Sequence, residues 1–237
     1  MARLLVGPAA ITGDMRTAHE RFDIVEVRAG DGAWPKDSTL KRWRKSAPPA
    51  FVFTVVLPPR VASLAQGADV DDLLTETLHV AAILQARCVL LQTPPDVRPT
   101  AANRKRIAAL FEKIPAEGTV RCWEPSGLWE PEDIFATARS ARVLPVLDAT
   151  QEVLPPGAIV YTRVRAMSKA ATSARGLEKL ASSIRGRREA FVVAEDPKVA
   201  SALRAALPKL VKERAARQGP VLVRQSTAPL IAEDEEQ

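Results

Sequence analysis

Polar and charged residues recur at the ends of short apolar runs along this chain. The runs are bounded by Gly, Pro or charged residues and alternate with amphipathic segments, which is typical of strands and helices around a parallel sheet. In a closed barrel of such strands, side chains at the carboxyl ends converge on one face, where active sites are found. The residues at these positions are Glu26, Arg28, Thr54, Gln92, Trp123, Glu124, Asp148, Arg163, Arg165, Glu195 and Asp196. The sequence therefore predicts a polar pocket at one end of the sheet.

The segment CWEPSGLWEPED, residues 122–133, is the most distinctive in the chain. Glu124 ends an apolar strand, and an apolar wall formed by Trp123 would raise the pKa of its carboxyl group and suit it to proton transfer. Pairing with Arg163 would instead keep Glu124 ionised and structural. Of these two states we predict the unpaired one, with Trp129 covering a ligand. Both tryptophans could equally pack the loop against the barrel rim.

Glu26 lies within the apolar run IVEV, where a lone charge would be costly. We expect a cation such as Arg28 or Arg163 beside it, and a functional carboxylate and a buried ion pair both fit the pattern. The planar guanidinium of Arg163 suits a carboxylate or phosphate ligand if no glutamate already occupies it. Gln92 precedes a Thr-Pro-Pro turn and could either orient a ligand or tie down that rigid loop.

Asp148 and Asp196 each precede a turn or helix, so capping of free backbone N–H groups explains them better than ligand binding does. Glu124 is the candidate catalytic residue. The candidate ligand-binding residues are Glu26, Arg28, Gln92, Trp123, Trp129, Asp148, Arg163 and Arg165.

Several chemical signatures are absent from the sequence. It contains no phosphate-binding Gly-rich loop, no dinucleotide fingerprint and no nucleophile elbow. The two histidines, His19 and His79, fall in or before predicted helices, and Cys88 and Cys122 lack metal-type spacing, so we predict neither a metal site nor a cofactor. Each cysteine is expected to be a small buried apolar residue.

The formal net charge of +6 is compatible with a nucleic-acid partner. The basic residues are scattered through predicted helices, as in KRWRK, NRKR and IRGRR, and an aromatic content of 5% is too low for a base-stacking platform. Solvated helix faces therefore explain the charge better. No stretch is long and apolar enough to cross a bilayer, and no signal peptide is recognisable, so a soluble cytoplasmic protein without a membrane partner is expected.

Eight strand candidates alternate with helices, which favours a single (β/α)8 TIM-like barrel over a doubly wound open sheet. The strands are predicted at 3–7, 24–28, 51–57, 88–92, 120–124, 144–147, 159–164 and 191–194. The helices are predicted at 40–45, 70–86, 101–113, 131–140, 173–185 and 197–218, with Asp69, Thr100, Glu130 and Asp196 at their starts. The barrel is expected to span residues 1–220. We expect residues 221–237 to be an extension with one short strand, VLVRQ, and a mobile acidic end.

Four stretches resemble, in the same order, the YecE-like family, TIM-barrel proteins known as a domain of unknown function. They are FDIVEVRAGDGAWPKDSTLKRWRKSAPPAFVFTVVLPP, LLQTPPDVRPTAANRKRIAALFEKIP, WEPSGLW and YTRVRA. The resemblance spans about residues 3–207 and implies the barrel and a pocket, but no established activity. Glu26, Gln92, Glu124 and Arg163 stand at positions matching the family pattern.

The chain departs from the family pattern in three places. Arg28-Ala29-Gly30-Asp31-Gly32 stands where the family has Asn-Ser-Thr-Phe-Tyr, Arg165 replaces a histidine, and Ala194-Glu195-Asp196 replaces Phe-Asn-Asn. Three functions stay open: a site that binds or converts a small anionic or polyhydroxylated ligand, a non-catalytic accessory module with a degenerate pocket, and a nucleic-acid-associated protein.

Overall fold

The computed structural model describes residues 3–11, 14–30, 33–165 and 171–218, with side chains up to residue 212. Within these residues the chain forms eight strands. They are β1 Arg3–Pro8, β2 Ile24–Val27, β3 Val52–Val56, β4 Cys88–Gln92, β5 Val120–Glu124, β6 Leu144–Pro145, β7 Ile159–Val164 and β8 Glu189–Ala194. The predicted strand VLVRQ and the acidic end lie outside the described residues.

The strands form two sheets in which every pairing is parallel. One sheet has the order β1-β8-β7 and the other β2-β3-β4-β5-β6. An isolated parallel bridge between Leu147 and Thr162 joins the two sheets after β6. On the other side the backbone N–H of Asp23 donates to the carbonyl of Val6, at 3.0 Å, just before β2. The strands thus follow one another in the circular order of the predicted (β/α)8 barrel.

The closure between β1 and β2 depends on a glycine. A Cβ atom on Gly7 would lie 1.7 Å from the carbonyl oxygen of Ile24. No side chain can occupy that space without moving one of the two strands.

A helix is present at each of the six predicted segments, and two short helices, at residues 18–21 and 59–62, were not predicted. The helices are α1 Ala18–Arg21, α2 Asp37–Ser46, α3 Pro59–Ala62, α4 Ala68–Leu84, α5 Ala101–Glu112, α6 Pro131–Ala141, α7 Ala174–Ile184 and α8 Pro197–Gln218. Thr100 caps α5 by accepting from the N–H of Asn103, and Asp196 accepts from the N–H of Lys198 at the start of α8. Asp69 was predicted at the start of its helix but lies within the first turn of α4, which Gly67 precedes.

The core has an inner part inside the barrel and outer parts between the strands and the helices. The inner part contains Leu5, Ile24, Leu90, Val146 and Phe191. Cys88 and Cys122 are free and buried in it, as predicted. Burial, followed by the contact with Cys88, raises the pKa of the Cys122 thiol well above its ordinary value.

Candidate functional site

Three strands bring one charged side chain each to the mouth of the barrel. Arg163 of β7 donates from Nη1 to both carboxylate oxygens of Glu26 of β2, at 2.7 and 2.6 Å. Its Nε lies 3.7 Å from Oε2 of Glu124, at the end of β5. Alternate residues of a strand face the same side, and these three continue the inward-facing rows that begin deeper in the barrel. The strand-end cluster predicted from the sequence therefore exists.

Glu26 forms the buried ion pair that its position in the apolar run IVEV predicted. The residue is only 3% exposed. Besides Arg163, it accepts from the hydroxyl of Tyr161 at 2.9 Å and from Nη2 of Arg28 at 2.7 Å. Burial opposes the charge on Arg163, but Glu26 and Glu124 outweigh it and raise the pKa of the guanidinium. Burial, and then the charge of Glu26, raises the pKa of Tyr161.

Glu124 is paired, so the prediction of an unpaired acid is wrong. Its Oε1 accepts from Nε of Arg165 at 2.9 Å and from Nη2 of the same residue, while its Oε2 accepts from Nε2 of Gln92. Arg163 lies in β7 and Arg165 directly follows the strand, two residues further on, and both side chains reach the carboxylate. The sequence had pointed to Arg163 as the partner, whereas Arg165 makes the direct hydrogen bonds.

Asp148 fixes the backbone around Arg165. Its Oδ1 accepts from the N–H and the hydroxyl of Thr150, at 2.9 and 2.6 Å, and its Oδ2 accepts from the N–H of Arg165 at 3.0 Å. This is the turn-forming role that was the alternative to ligand binding. Glu195 lies with its Oε1 3.6 Å from Nε of Arg163 and is about half exposed.

Trp123 faces away from the barrel mouth. Its side chain is fully buried among the helices, and its Nε1 donates to the hydroxyl of Thr93 at 3.1 Å. The predicted apolar wall of Trp123 beside Glu124 is therefore wrong, because consecutive residues of a strand point to opposite faces. Trp129 packs edge-on against Trp123, with ring centroids 4.8 Å apart, and donates to the carbonyl of Val97 at 2.7 Å.

A cleft of about 620 Å³, here called the first cleft, opens beside the charged cluster. The loop 125–131 after β5, residues 146–148 and the guanidinium of Arg165 line it, together with Ile134, Gln151 and Glu152. Of the predicted site residues, Trp129, Asp148 and Arg165 are thus in its wall. The others are not among its lining residues: Glu26, Arg28, Gln92, Trp123, Glu124 and Arg163. Gln151 and Glu152 were missed by the sequence analysis, although the Asp148 turn signal lies next to them.

The loop after β5 is held against the loop after β4. Gly127 has a φ of +84°, and a Cβ atom there would lie 2.6 Å from the carbonyl oxygen of Pro95. Only glycine adopts this conformation and permits this approach at low cost. The wall of the first cleft is therefore a packed loop with a defined conformation.

In the part of the chain that the structure describes, no helix is long and apolar enough to cross a membrane. The same residues contain no group of three or more His, Cys, Asp or Glu side chains arranged to hold a metal ion.

The parallel strand order and the polar strand-end cluster define an α/β barrel protein of the TIM type. The model of the family described as Protein of unknown function DUF72 matches residues 8–221. The chain belongs to this family, and the YecE-like resemblance of its sequence is confirmed. No curated protein matches the chain at a significant level.

Solved structures share the fold at low sequence identity. A DUF72 family protein from Thermotoga maritima is 16% identical, with a TM-score of 0.66 over 89% of this chain and 99% of the other. A xylose isomerase domain containing protein from Salmonella typhimurium is 14% identical, with a TM-score of 0.57 over 86% and 90%. AP endonuclease, family 2, from Brucella melitensis is 15% identical, with a TM-score of 0.58 over 88% and 99%.

Proposed function

We propose that the first cleft binds a small anionic or polyhydroxylated ligand. The observation that supports this most is the position of Arg165. Its side chain is 46% exposed, lines the cleft and is hydrogen-bonded to Glu124, whose side chain is 2% exposed. A guanidinium held by a buried carboxylate is already oriented, so a ligand loses less conformational freedom in binding to it.

The other lining residues suit hydroxyl groups. Asp148, Glu152 and Gln151 offer oxygen atoms that accept hydrogen bonds, and the Gln151 amide also donates. Glu124 remains the candidate catalytic residue. Its carboxylate lies beside the guanidinium that would hold the ligand, so a bound hydroxyl group next to Arg165 would have Glu124 as its proton acceptor.

A binding module without catalysis is the second candidate. The observation that favours it is that Glu26 and Glu124 both already hold arginine partners. Both candidates require the same cleft, and turnover of the bound ligand separates them.

The test is a thermal-shift screen with sugars, sugar phosphates, uronic acids, hydroxy acids and short oligonucleotides, followed by calorimetric titration of the compounds that shift the melting temperature. The variant is Arg165→Met. The control is Arg3→Met, which removes a 47% exposed arginine from Glu189, an 8% exposed carboxylate at the opposite end of the barrel.

We expect at least one anionic or polyhydroxylated compound to stabilise the parent and Arg3→Met and to bind Arg165→Met at least tenfold more weakly. Equal binding by Arg165→Met, or binding only of oligonucleotides with a steep loss at moderate salt, would contradict the proposal.

A further inference from the structure

A second cleft adjoins the first. It has a volume of about 490 Å³ and lies between residues 149–154 and one face of α7. Gln151 and Glu152 line both clefts, so the turn that they form is their common boundary. Single ligand sites in proteins commonly measure about 300–1,000 Å³. Each cleft is therefore large enough for one small unit, and together they offer room for an elongated molecule.

The second cleft carries positive charge. Among its described lining residues are the cations Arg175, Lys179 and Arg187 and the carboxylates Glu152 and Glu178. Arg175 is exposed in the first turn of α7. A ligand anion would therefore meet an accessible guanidinium here as it does in the first cleft.

The walls of the second cleft are tied together by the other two cations. Lys179 donates to the carbonyl of Thr150 at 2.9 Å, and Arg187 donates to the carbonyls of Pro155 and Gly157, each at 2.7 Å. These partners are carbonyl dipoles, which stabilise a cation without neutralising its charge. Burial lowers the pKa of Arg187 below its ordinary value.

We infer that the second cleft is a subsite of the same binding site, and that it takes the second anionic group of an elongated polyhydroxylated ligand whose first anionic group lies on Arg165. The inference rests on the proposed function of the first cleft. It adds that the ligand has at least two acidic units, which cross the turn formed by Gln151 and Glu152. An oligomer of a uronic acid has this chemistry, since each unit carries one carboxylate and several hydroxyl groups.

The test is calorimetric titration with galacturonate, digalacturonate and trigalacturonate. The full-length parent is compared with Arg165→Met, Arg175→Met and the control Arg3→Met. We expect the oligomers to bind the parent about tenfold more tightly than the monomer, because a second charge-assisted contact is added. Arg175→Met should remove this gain and leave the affinity for galacturonate unchanged, whereas Arg165→Met should weaken all three probes.

Circular dichroism and melting temperature check that Arg175→Met is folded, which its exposed position favours. Arg175→Lys keeps a positive charge and should retain part of the gain. Two outcomes would overturn the subsite and leave the proposed function of the first cleft intact. In one, all three probes bind the parent equally; in the other, Arg175→Met keeps the higher affinity for the oligomers while Arg165→Met weakens binding. If none of the three probes binds the parent, the inference is overturned, and the proposed function is judged separately by the other compounds of the screen.

Discussion

Glu124 is held by two guanidinium groups at once. Arg165 donates to one of its oxygens, and Arg163 lies 3.7 Å from the other. Its carboxylate therefore balances positive charge at the barrel mouth, whether or not it also transfers a proton. A buried charge left without its partner is strongly destabilising.

The substitution Glu124→Gln should consequently lower stability. We expect the free energy of unfolding to fall by about 1–3 kcal/mol. This is less than for a fully buried pair, because Arg165 is half exposed and Arg163 still has Glu26 as its ion-pair partner. Urea unfolding beside Glu76→Gln, which changes an exposed glutamate of α4, measures the difference. Equal stability of the two variants would mean that the pairing contributes nothing to folding.

Tyr161 gives a direct optical test of the buried network, because it is the one tyrosine in the sequence. Its pKa is raised in the folded protein by burial and by Glu26, so the folded protein keeps the proton at a pH where the unfolded chain loses it. Stability should then fall as the pH rises above about 10, the ordinary tyrosine value.

We expect tyrosinate absorbance to appear near pH 10 in urea but only together with unfolding in its absence. In Tyr161→Phe the fall in stability above this pH should be smaller. The raised pKa of Cys122 acts in the same direction and accounts for part of the fall that this variant still shows. A reversible tyrosine titration near pH 10 with an unchanged circular dichroism spectrum would contradict the observed contact with Glu26.

At the scale of single elements, the loop after β5 determines the shape of the first cleft. Gly127 combines a positive φ with close contact to Pro95, whereas Gly118 has a φ of +70° and open space around it. Alanine at Gly118 would therefore measure the energetic cost of the positive φ alone, and alanine at Gly127 the cost of the positive φ together with the close contact to Pro95.

We expect Gly118→Ala to destabilise the protein by about 1 kcal/mol, the penalty for a left-handed alanine. Gly127→Ala should cost clearly more, by a further 1–3 kcal/mol or so, because the loop must also move away from Pro95. Denaturant midpoints measure both changes. Similar losses in the two variants would show that the loop yields to the added methyl group without strain.

The alternation of residues along strands made much of the site predictable. Glu26, Gln92, Glu124 and Arg163 end or nearly end separate strands on the inward-facing side, and their side chains contact one another, although none of them lines the first cleft. The same rule excludes Trp123 from the barrel mouth, a consequence that the sequence analysis did not draw.

The choice between Arg163 and Arg165 as the partner of Glu124 could not be predicted. Both face inward, and the outcome depends on the distances across the barrel. The second cleft was missed because it lies between the 149–154 segment and a helix face, and no sequence pattern relates those two segments.

At the scale of the whole molecule, the barrel depends on the approach of β1 to β2. The two strands belong to different sheets, and Gly7 allows the backbone of one to lie against the carbonyl of Ile24 in the other.

Gly7→Ala should therefore destabilise the protein by several kcal/mol, about 3 or more, and reduce the yield of folded protein. Gly30→Ala is the matched control, because nothing lies within 4 Å of the added atom there, and its effect should stay within about 0.5 kcal/mol. Urea unfolding of the two purified variants tests the difference. Near-parental stability of Gly7→Ala would mean that the two strands can separate at little cost.

The most direct measurement of the central claim is a crystal structure of the protein with the compound of the screen that binds the parent most tightly. The proposed function predicts an anionic or hydroxyl group of that compound about 3 Å from the guanidinium of Arg165, in the first cleft, with further hydroxyl groups toward Asp148 and Gln151. The compound bound instead on the basic outer faces of the helices, with the first cleft filled only by solvent, would contradict it.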